Sequence, residues 1–207
     1  MQLHRHDVVD KATQLLDDYG IADLTMRRLA RELNVTPGAL YWHFADKQEL
    51  LGAVADRILE LASAAVEQVP WAERILAICS ALRDALLSAT DGAELVSASF
   101  AAGKSATMST ILERLTSAAA DASIEPVNAD LAARTAVYYV LGFTADEQSR
   151  LQWDAVGALP DGQSVMTTNP NARFTFGLHL LIDGMAARRS AASGDQDVDP
   201  AVAVPTS

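Results

Sequence analysis

The stretch from Leu24 to Lys47, LTMRRLARELNVTPGALYWHFADK, constrains the fold more than any other in the chain. Thr25 precedes a short run with apolar residues at Leu29 and Leu33, which predicts an N-cap and a helix ending near Leu33. Asn34 follows, a residue that tolerates the left-handed backbone of a tight helix exit. Thr36 is placed to cap the next helix, with Pro37 at its first position, where a missing N–H costs nothing. Leu40 and Phe44 share one face and predict its buried side. Asp46, with Glu49 three residues on, predicts a capping box for the helix after that. Two short helices about a tight turn form a helix-turn-helix, whose second helix can enter a DNA major groove.

The residue types suit that role. Thr36, Pro37, Gly38 and Ala39 are small, so the helix start can approach bases and phosphates, and its amides favour an anion. Tyr41, Trp42 and His43 carry hydrogen-bonding tips suited to phosphate oxygens, contacts that position a helix without reading sequence. Lys47 and Arg27 add charge on the same side, and Arg27 is the candidate to read a guanine edge or clamp a phosphate. The bland alternative makes Tyr41 and Trp42 core residues and Arg27, Arg28 and Arg31 a solvated face. The capped helix, asparagine turn, Thr-Pro start, aromatic triplet and capping box favour DNA by occurring together.

Net charge is −11 over 207 residues, which argues against a general polyanion binder. From Thr25 to Lys47, however, Arg27, Arg28, Arg31 and Lys47 stand against Glu32 and Asp46, a net of +2 that leaves −13 for the rest. One cysteine, Cys79, excludes an internal disulfide and fits a reducing cytoplasm. Apolar runs fall short of the roughly 18 residues that span a bilayer, so no membrane partner is expected. The start of the chain, MQLHRHDVV, lacks the apolar core of a signal peptide.

Helical periodicity continues along the chain. Val8, Ala12, Leu15, Leu16 and Tyr19 form one stripe of a helix over about 7–19, which Gly20 ends. A long helix is expected from about 47 to 68, broken at Val69-Pro70. Further helices are expected over about 72–88, 93–100, 107–120 and 128–153. The segment 156–172 has two prolines, two glycines and little charge, and reads as a mobile loop. A last helix is expected over about 173–189, before a disordered tail at 190–207. No strand pattern occurs, and the fold class is all-α.

Residues 5–60 resemble the DNA-binding domain of the TetR family of bacterial repressors. The resemblance rests on Ala12, Leu15 and Leu16, Gly20-Ile21, Leu24 to Ala30, Leu33-Asn34-Val35, and Leu40 to Phe44 with Lys47. It implies a homodimer on a palindromic double-stranded DNA operator, released by a small-molecule effector bound in the C-terminal half. A fainter resemblance, to the tetracycline-repressor-like C-terminal domain of that family, covers Arg83 to Leu87 with Asp91 to Ala93, Leu141-Gly142 with Asp146 to Gln148, and Phe176 to Leu178 with Leu181, Ile182 and Gly184. By that resemblance Val96 stands where the family has a metal-binding histidine. Tyr138 replaces a second pocket histidine, Ile78 a pocket asparagine and Ile111 a pocket glutamine, while Asp146 lies near the acidic residue of the metal's water shell. One carboxylate without its histidine is a poor site for a hard cation. No metal or other cofactor is expected. The resemblance implies a more apolar effector near Ser63, Leu82, Leu86, Val96, Phe100, Ile111, Tyr138 and Asp146, the plain alternative being core packing.

In the last helix Phe174, Leu178, Leu181 and Met185 form one apolar stripe, and Phe176, Leu180 and Ala187 another. A helix apolar on two faces is buried on two sides. The first stripe is the expected dimer interface, within a four-helix arrangement of two chains. The expected division is a reader at 1–48, a ligand-binding and dimerisation domain at 49–189 and the tail, with a long helix linking the first two. A carrier or an enzyme with a helical pocket is the rival. His179 and Cys79 have no partners at catalytic spacing, and no catalytic residues are assigned.

Overall fold

The computed structural model describes residues 3–63, 68–159 and 169–194, with the side chains of Leu61, Ser63 and 189–194 left aside. Among these residues every regular element is a helix. They are α1 (Arg5–Tyr19), α2 (Met26–Glu32), α3 (Pro37–Tyr41), α4 (Lys47–Ile58), α5 (Trp71–Leu87), α6 (Gly92–Ala101), α7 (Ala106–Asp121), α8 (Pro126–Ala155) and α9 (Pro170–Gly194). Short 3-10 turns cover Ile21–Asp23 and Leu59–Ser63.

Local chemistry sets the ends of the N-terminal helices. His4 N donates to Asp7 Oδ2 at 2.9 Å at the start of α1, and Gly20 ends it at φ 77° with its amide on Leu16 O. Thr25 Oγ1 accepts from Arg28 N at 3.2 Å, a cap of the kind worth about 1 kcal/mol. Asn34 takes the left-handed conformation at φ 54°. Asp46 Oδ1 accepts from Glu49 N at 2.8 Å. The Glu49 carboxylate returns to Ala45 N rather than Asp46 N, so the box is displaced by one residue. Thr36, expected as a side-chain cap, makes no such bond, and Pro37 alone marks the start of α3.

Val8, Ala12, Leu15 and Leu16 of α1 pack with Leu24, Leu29, Leu40, Phe44, Leu50 and Val54 in the N-terminal part of one continuous core. Around the larger part, α5 packs against α7 and α8, α7 against α8, and α6 against both α4 and α8. The helix from Lys47 is shorter than its apolar period suggested. It passes into the 3-10 turn at Leu59, and 64–67 lie outside the described residues. No glycine or proline marks that change.

The last helix, in contrast, is longer than expected at both ends. Pro170 begins it, at a position where proline is favoured, and it runs to Gly194. The expected loop therefore reduces to 156–169, of which 160–168 lie outside the described residues, as does the expected tail from 195. Among the described residues no helix is long and apolar enough to cross a membrane.

Candidate DNA interface and effector site

α3 has five residues and ends at Tyr41, and Trp42 and His43 of the aromatic triplet follow in the turn after it. Trp42 is 90 % exposed and Tyr41 52 %, while His43 is half-buried. Leu40 and Phe44 are fully buried beneath them. The core alternative for Tyr41 and Trp42 is thus excluded. Leaving two large aromatics in water forgoes burial worth about 1.5–3 kcal/mol for a large apolar side chain, so their place needs a reason outside the chain.

Gly38 carries a similar message. It is exposed, and a Cβ built there would meet nothing closer than Thr36 Oγ1 at 3.8 Å. Nothing inside the protein requires glycine at this helical position, where it costs about 1 kcal/mol relative to alanine. Thr36 and Pro37 are likewise exposed, and Ala39 is half-buried with its amide turned onto Thr36 O at 3.0 Å.

The three arginines of α2 divide by role. Arg27 and Arg31 are exposed, and among the described residues no ion pair holds either. Arg28 is different: it pairs with Asp23, and its guanidinium lies 3.8 Å from the centre of the Tyr19 ring. It fastens α2 to the end of α1. Lys47 is half-buried at the start of α4, and Thr25 is exposed with its hydroxyl engaged in the α2 cap.

Arg5, which the sequence reading passed over, holds the far end of the reader. It donates to His43 O and to Glu49 Oε1, and its guanidinium sits 4.0 Å from the centre of the Phe44 ring. The Ala45 amide and then the Arg5 side chain hold the Glu49 carboxyl below its ordinary range. The exit from the aromatic triplet is therefore fixed from α1 and α4 together. A lone arginine at the start of a helix gave no signal, because its partners lie 38 and 44 residues away.

The expected effector residues separate into two groups. Leu82, Leu86, Val96 and Ile111 have no accessible surface, so none lines a space that water could enter. Here they are packed core. Phe100 is half-buried, and Tyr138 is 59 % exposed on α8, their rings 6.3 Å apart. Asp146 faces outward, and the buried acid is its neighbour Glu147, which takes both Arg83 Nε at 2.9 Å and Arg83 Nη2 at 2.7 Å. The side chain of Ser63 lies outside the described residues. Inside the same packed region Ser99 is fully buried with a hydroxyl that finds no hydrogen-bond partner. Such an orphan costs about 1–3 kcal/mol. Serine among apolar neighbours was too common a pattern to single it out beforehand.

The stripe expected between two chains also needs correcting. Phe174, Leu178 and Met185 are buried within the protomer, and Leu181 is half-buried. Phe174 stacks on Tyr139, whose hydroxyl donates to Phe174 O at 2.8 Å. Gly177 lets α9 come against the Tyr139 ring, where a Cβ would collide, whereas Gly184 faces open space. Phe176 and Leu180, on the second stripe, are left exposed, as are Val127, Leu131 and Trp153 on α8. The apolar period was the same for both stripes, so sequence could not tell inward from outward.

A profile described as bacterial regulatory proteins, tetR family, matches residues 8–54. A second, tetracyclin repressor-like C-terminal domain, matches 65–162. The class G tetracycline repressor of Vibrio anguillarum is 30% identical over 92% of this chain and 97% of its own length. Among solved structures, BioQ of Mycobacterium smegmatis is 63% identical, with a TM-score of 0.85, covering 90% of this chain and 99% of that one. A BioQ crystallised with its double-stranded DNA operator is 60% identical with a TM-score of 0.80 over the same shares. A repressor variant from Acinetobacter baumannii, crystallised with minocycline, is 31% identical, covers 91% of this chain and 99% of its own, and has a TM-score of 0.72. With its helix-turn-helix and its helical C-terminal half both matched over nearly the whole length, the chain belongs to the tetR family of bacterial regulatory proteins.

Proposed function

We propose that this protein is a DNA-binding transcriptional repressor that acts in the cytoplasm as a homodimer on a palindromic operator. The observation that carries the reading is the exposed face of α3 and its surroundings. Tyr41 and Trp42 stand in water above a fully buried Leu40 and Phe44, beside a glycine the fold does not need, and Arg27 of α2 is exposed without an ion pair among the described residues. Support also comes from the likeness to a BioQ bound to its operator. Residues 1–48 are the reader, 49–189 the regulatory and dimerising part. Phe176 and Leu180 of α9, with Val127 and Leu131 of α8, are the surface we assign to the partner chain, because exposed apolar faces of this kind mark interaction sites.

Release follows from a small, largely apolar effector that opens the packed interior around Leu86, Val96, Ile111 and Ser99. Such a molecule would replace apolar contacts and supply the hydrogen bond that Ser99 lacks. Catalysis is not part of this reading. The Cys79 thiol is pushed up to about 12 by burial, which makes it a poor nucleophile, and His179 stands exposed on α9.

The test is selection of genomic fragments on the purified protein, followed by electrophoretic retardation of the recovered sequences. A palindrome with half-sites about one helical turn apart is expected. Absence of any retardation at low salt would remove the DNA reading.

A further inference from the structure

The α1–α3 reader, together with the α4 helix that continues from it, is held to the rest of the protein at both ends of α6. At the C-terminal end, α4 packs so closely on the α6–α7 loop that a Cβ at Gly52 would collide with Lys104 O. There Asp56 Oδ1 accepts from Ser105 Oγ at 2.6 Å and from Thr107 N at 2.9 Å. At the N-terminal end, the turn before α6 grips the end of α1. Thr90 donates from its amide to Asp17 Oδ1 at 3.0 Å and from its hydroxyl to Asp17 O at 3.1 Å. Asp91 Oδ2 accepts from Ile21 N at 2.9 Å. Its other oxygen accepts from Gln152 Nε2 of α8 at 2.7 Å.

We infer that Asp91 is a positioning residue for the DNA reader, tying the turn that follows α1 to α8 through one carboxylate. The surrounding geometry is specialised for this contact. Asp91 takes a left-handed backbone at φ 53°, which turns its side chain between the two partners. Gly20 sits at φ 77°, and a Cβ there would lie 2.6 Å from Asp91 Oδ2, so a side chain would break the contact. Gln148 of α8 fixes the same turn, donating to Leu86 O and Ala89 O at 3.0 and 2.8 Å and accepting from Ala93 N at 3.0 Å.

The mechanical consequence is direct. One attachment leaves the reader free to rotate about it, whereas two, separated by the roughly 15 Å of a ten-residue helix, fix its tilt. The reader then follows α6 and α8 as well as α4. α8 carries part of the surface assigned to the partner chain, so the two readers of a dimer are placed from the interface itself. That last step rests on the proposed function; the attachment does not.

Electron–electron resonance between spin labels at Glu32→Cys on α2 and Ser117→Cys on α7 tests it, with labelled chains diluted in unlabelled protein so that distances are intrachain. Cys79 is buried and stays unlabelled. The parent should give a narrow distance distribution. Asp91→Gly keeps the left-handed turn and removes the carboxylate, and Gln152→Ala removes the α8 donor. Either should broaden the distribution, with Thr90 still holding Asp17 and Gln148 still holding the turn. Asp91→Asn keeps an oxygen for Ile21 N–H and, with the Gln152 amide turned so that its oxygen accepts, should restore the narrow distribution. On a recovered operator fragment, Asp91→Gly should weaken binding about 5-fold or more, within the usual range of allosteric coupling. Unchanged widths in Gln152→Ala and in folded Asp91→Gly overturn the inference. Should Asp91→Gly fail to fold, Gln152→Ala decides alone. A parent that binds no DNA overturns the repressor reading instead.

Discussion

Two arginines one position apart carry opposite duties. Arg27 is exposed without an ion pair, while Arg28 is spent on Asp23 and the Tyr19 ring. Arg27→Ala should leave the unfolding midpoint unchanged and weaken operator binding by about 1–3 kcal/mol if the residue reads a guanine. Arg28→Ala should do the reverse, costing about 1 kcal/mol of stability through lost cation–π and ion-pair contacts that remain partly exposed. Denaturant titration beside fluorescence anisotropy on the operator separates the two. Gly38→Ala is the sharper case. Alanine fits the space, so stability should rise by about 0.5–1 kcal/mol, yet the added methyl stands where DNA must approach, and affinity should fall. A variant both more stable and equally tight would show that Gly38 has no such role. At this scale the reader was legible because helix caps, turns and small residues are local signals. Arg5 and Ser99 were not, since one acts across the chain and the other is notable only for the bond it lacks.

At the scale of elements, helices were legible and their faces were not. α8 and α9 are apolar on more than one side, and periodicity gives no choice between a protomer's core and a partner's surface. Phe174 and Phe176 differ by two positions and face opposite ways, one buried and one exposed. Asp146 and Glu147 repeat the lesson, since a motif fixes that an acid is present but not which neighbour turns inward. Glu147 joins α8 to Arg83 of α5, and Arg83 Nη1 donates onward to Asn171 Oδ1 of α9 at 2.9 Å. This buried pair ties three helices. Removing one partner leaves a bare charge inside the protein, so Arg83→Met or Glu147→Leu alone should cost about 3–5 kcal/mol. The double substitution should recover most of that loss, because no charge is then stranded. Urea unfolding of the two singles and the double forms the cycle; a double as unstable as the sum of the singles would show that packing around Phe143 and Phe174, not the stranded charge, sets the cost.

The whole molecule sets a puzzle of charge. Each chain carries −11, so a dimer approaching DNA brings −22, while its reader offers few cations. With Arg5 and Arg28 engaged in ion pairs and Lys11 bonded to Gln14 on α1, Arg27, Arg31 and Lys47 remain in each reader, six in a dimer. Counterion release then predicts a plot of log affinity against log salt with a slope of about −5, or roughly a thousandfold loss between 50 and 200 mM. The acidic body modifies this at low salt. At 0.1 M the Debye length is about 10 Å, and only charges near the duplex act on it. Near 0.01 M it reaches about 30 Å, the body repels the phosphates, and the slope should flatten. Affinity must therefore come from holding two weak readers at the right spacing, which is why their attachment at both ends of α6 matters. Anisotropy titrations across this salt range check the account. A slope of about −8 or steeper, with no flattening, would mean that cations outside the reader touch the phosphates and that the fixed geometry of the pair is less important than its charge.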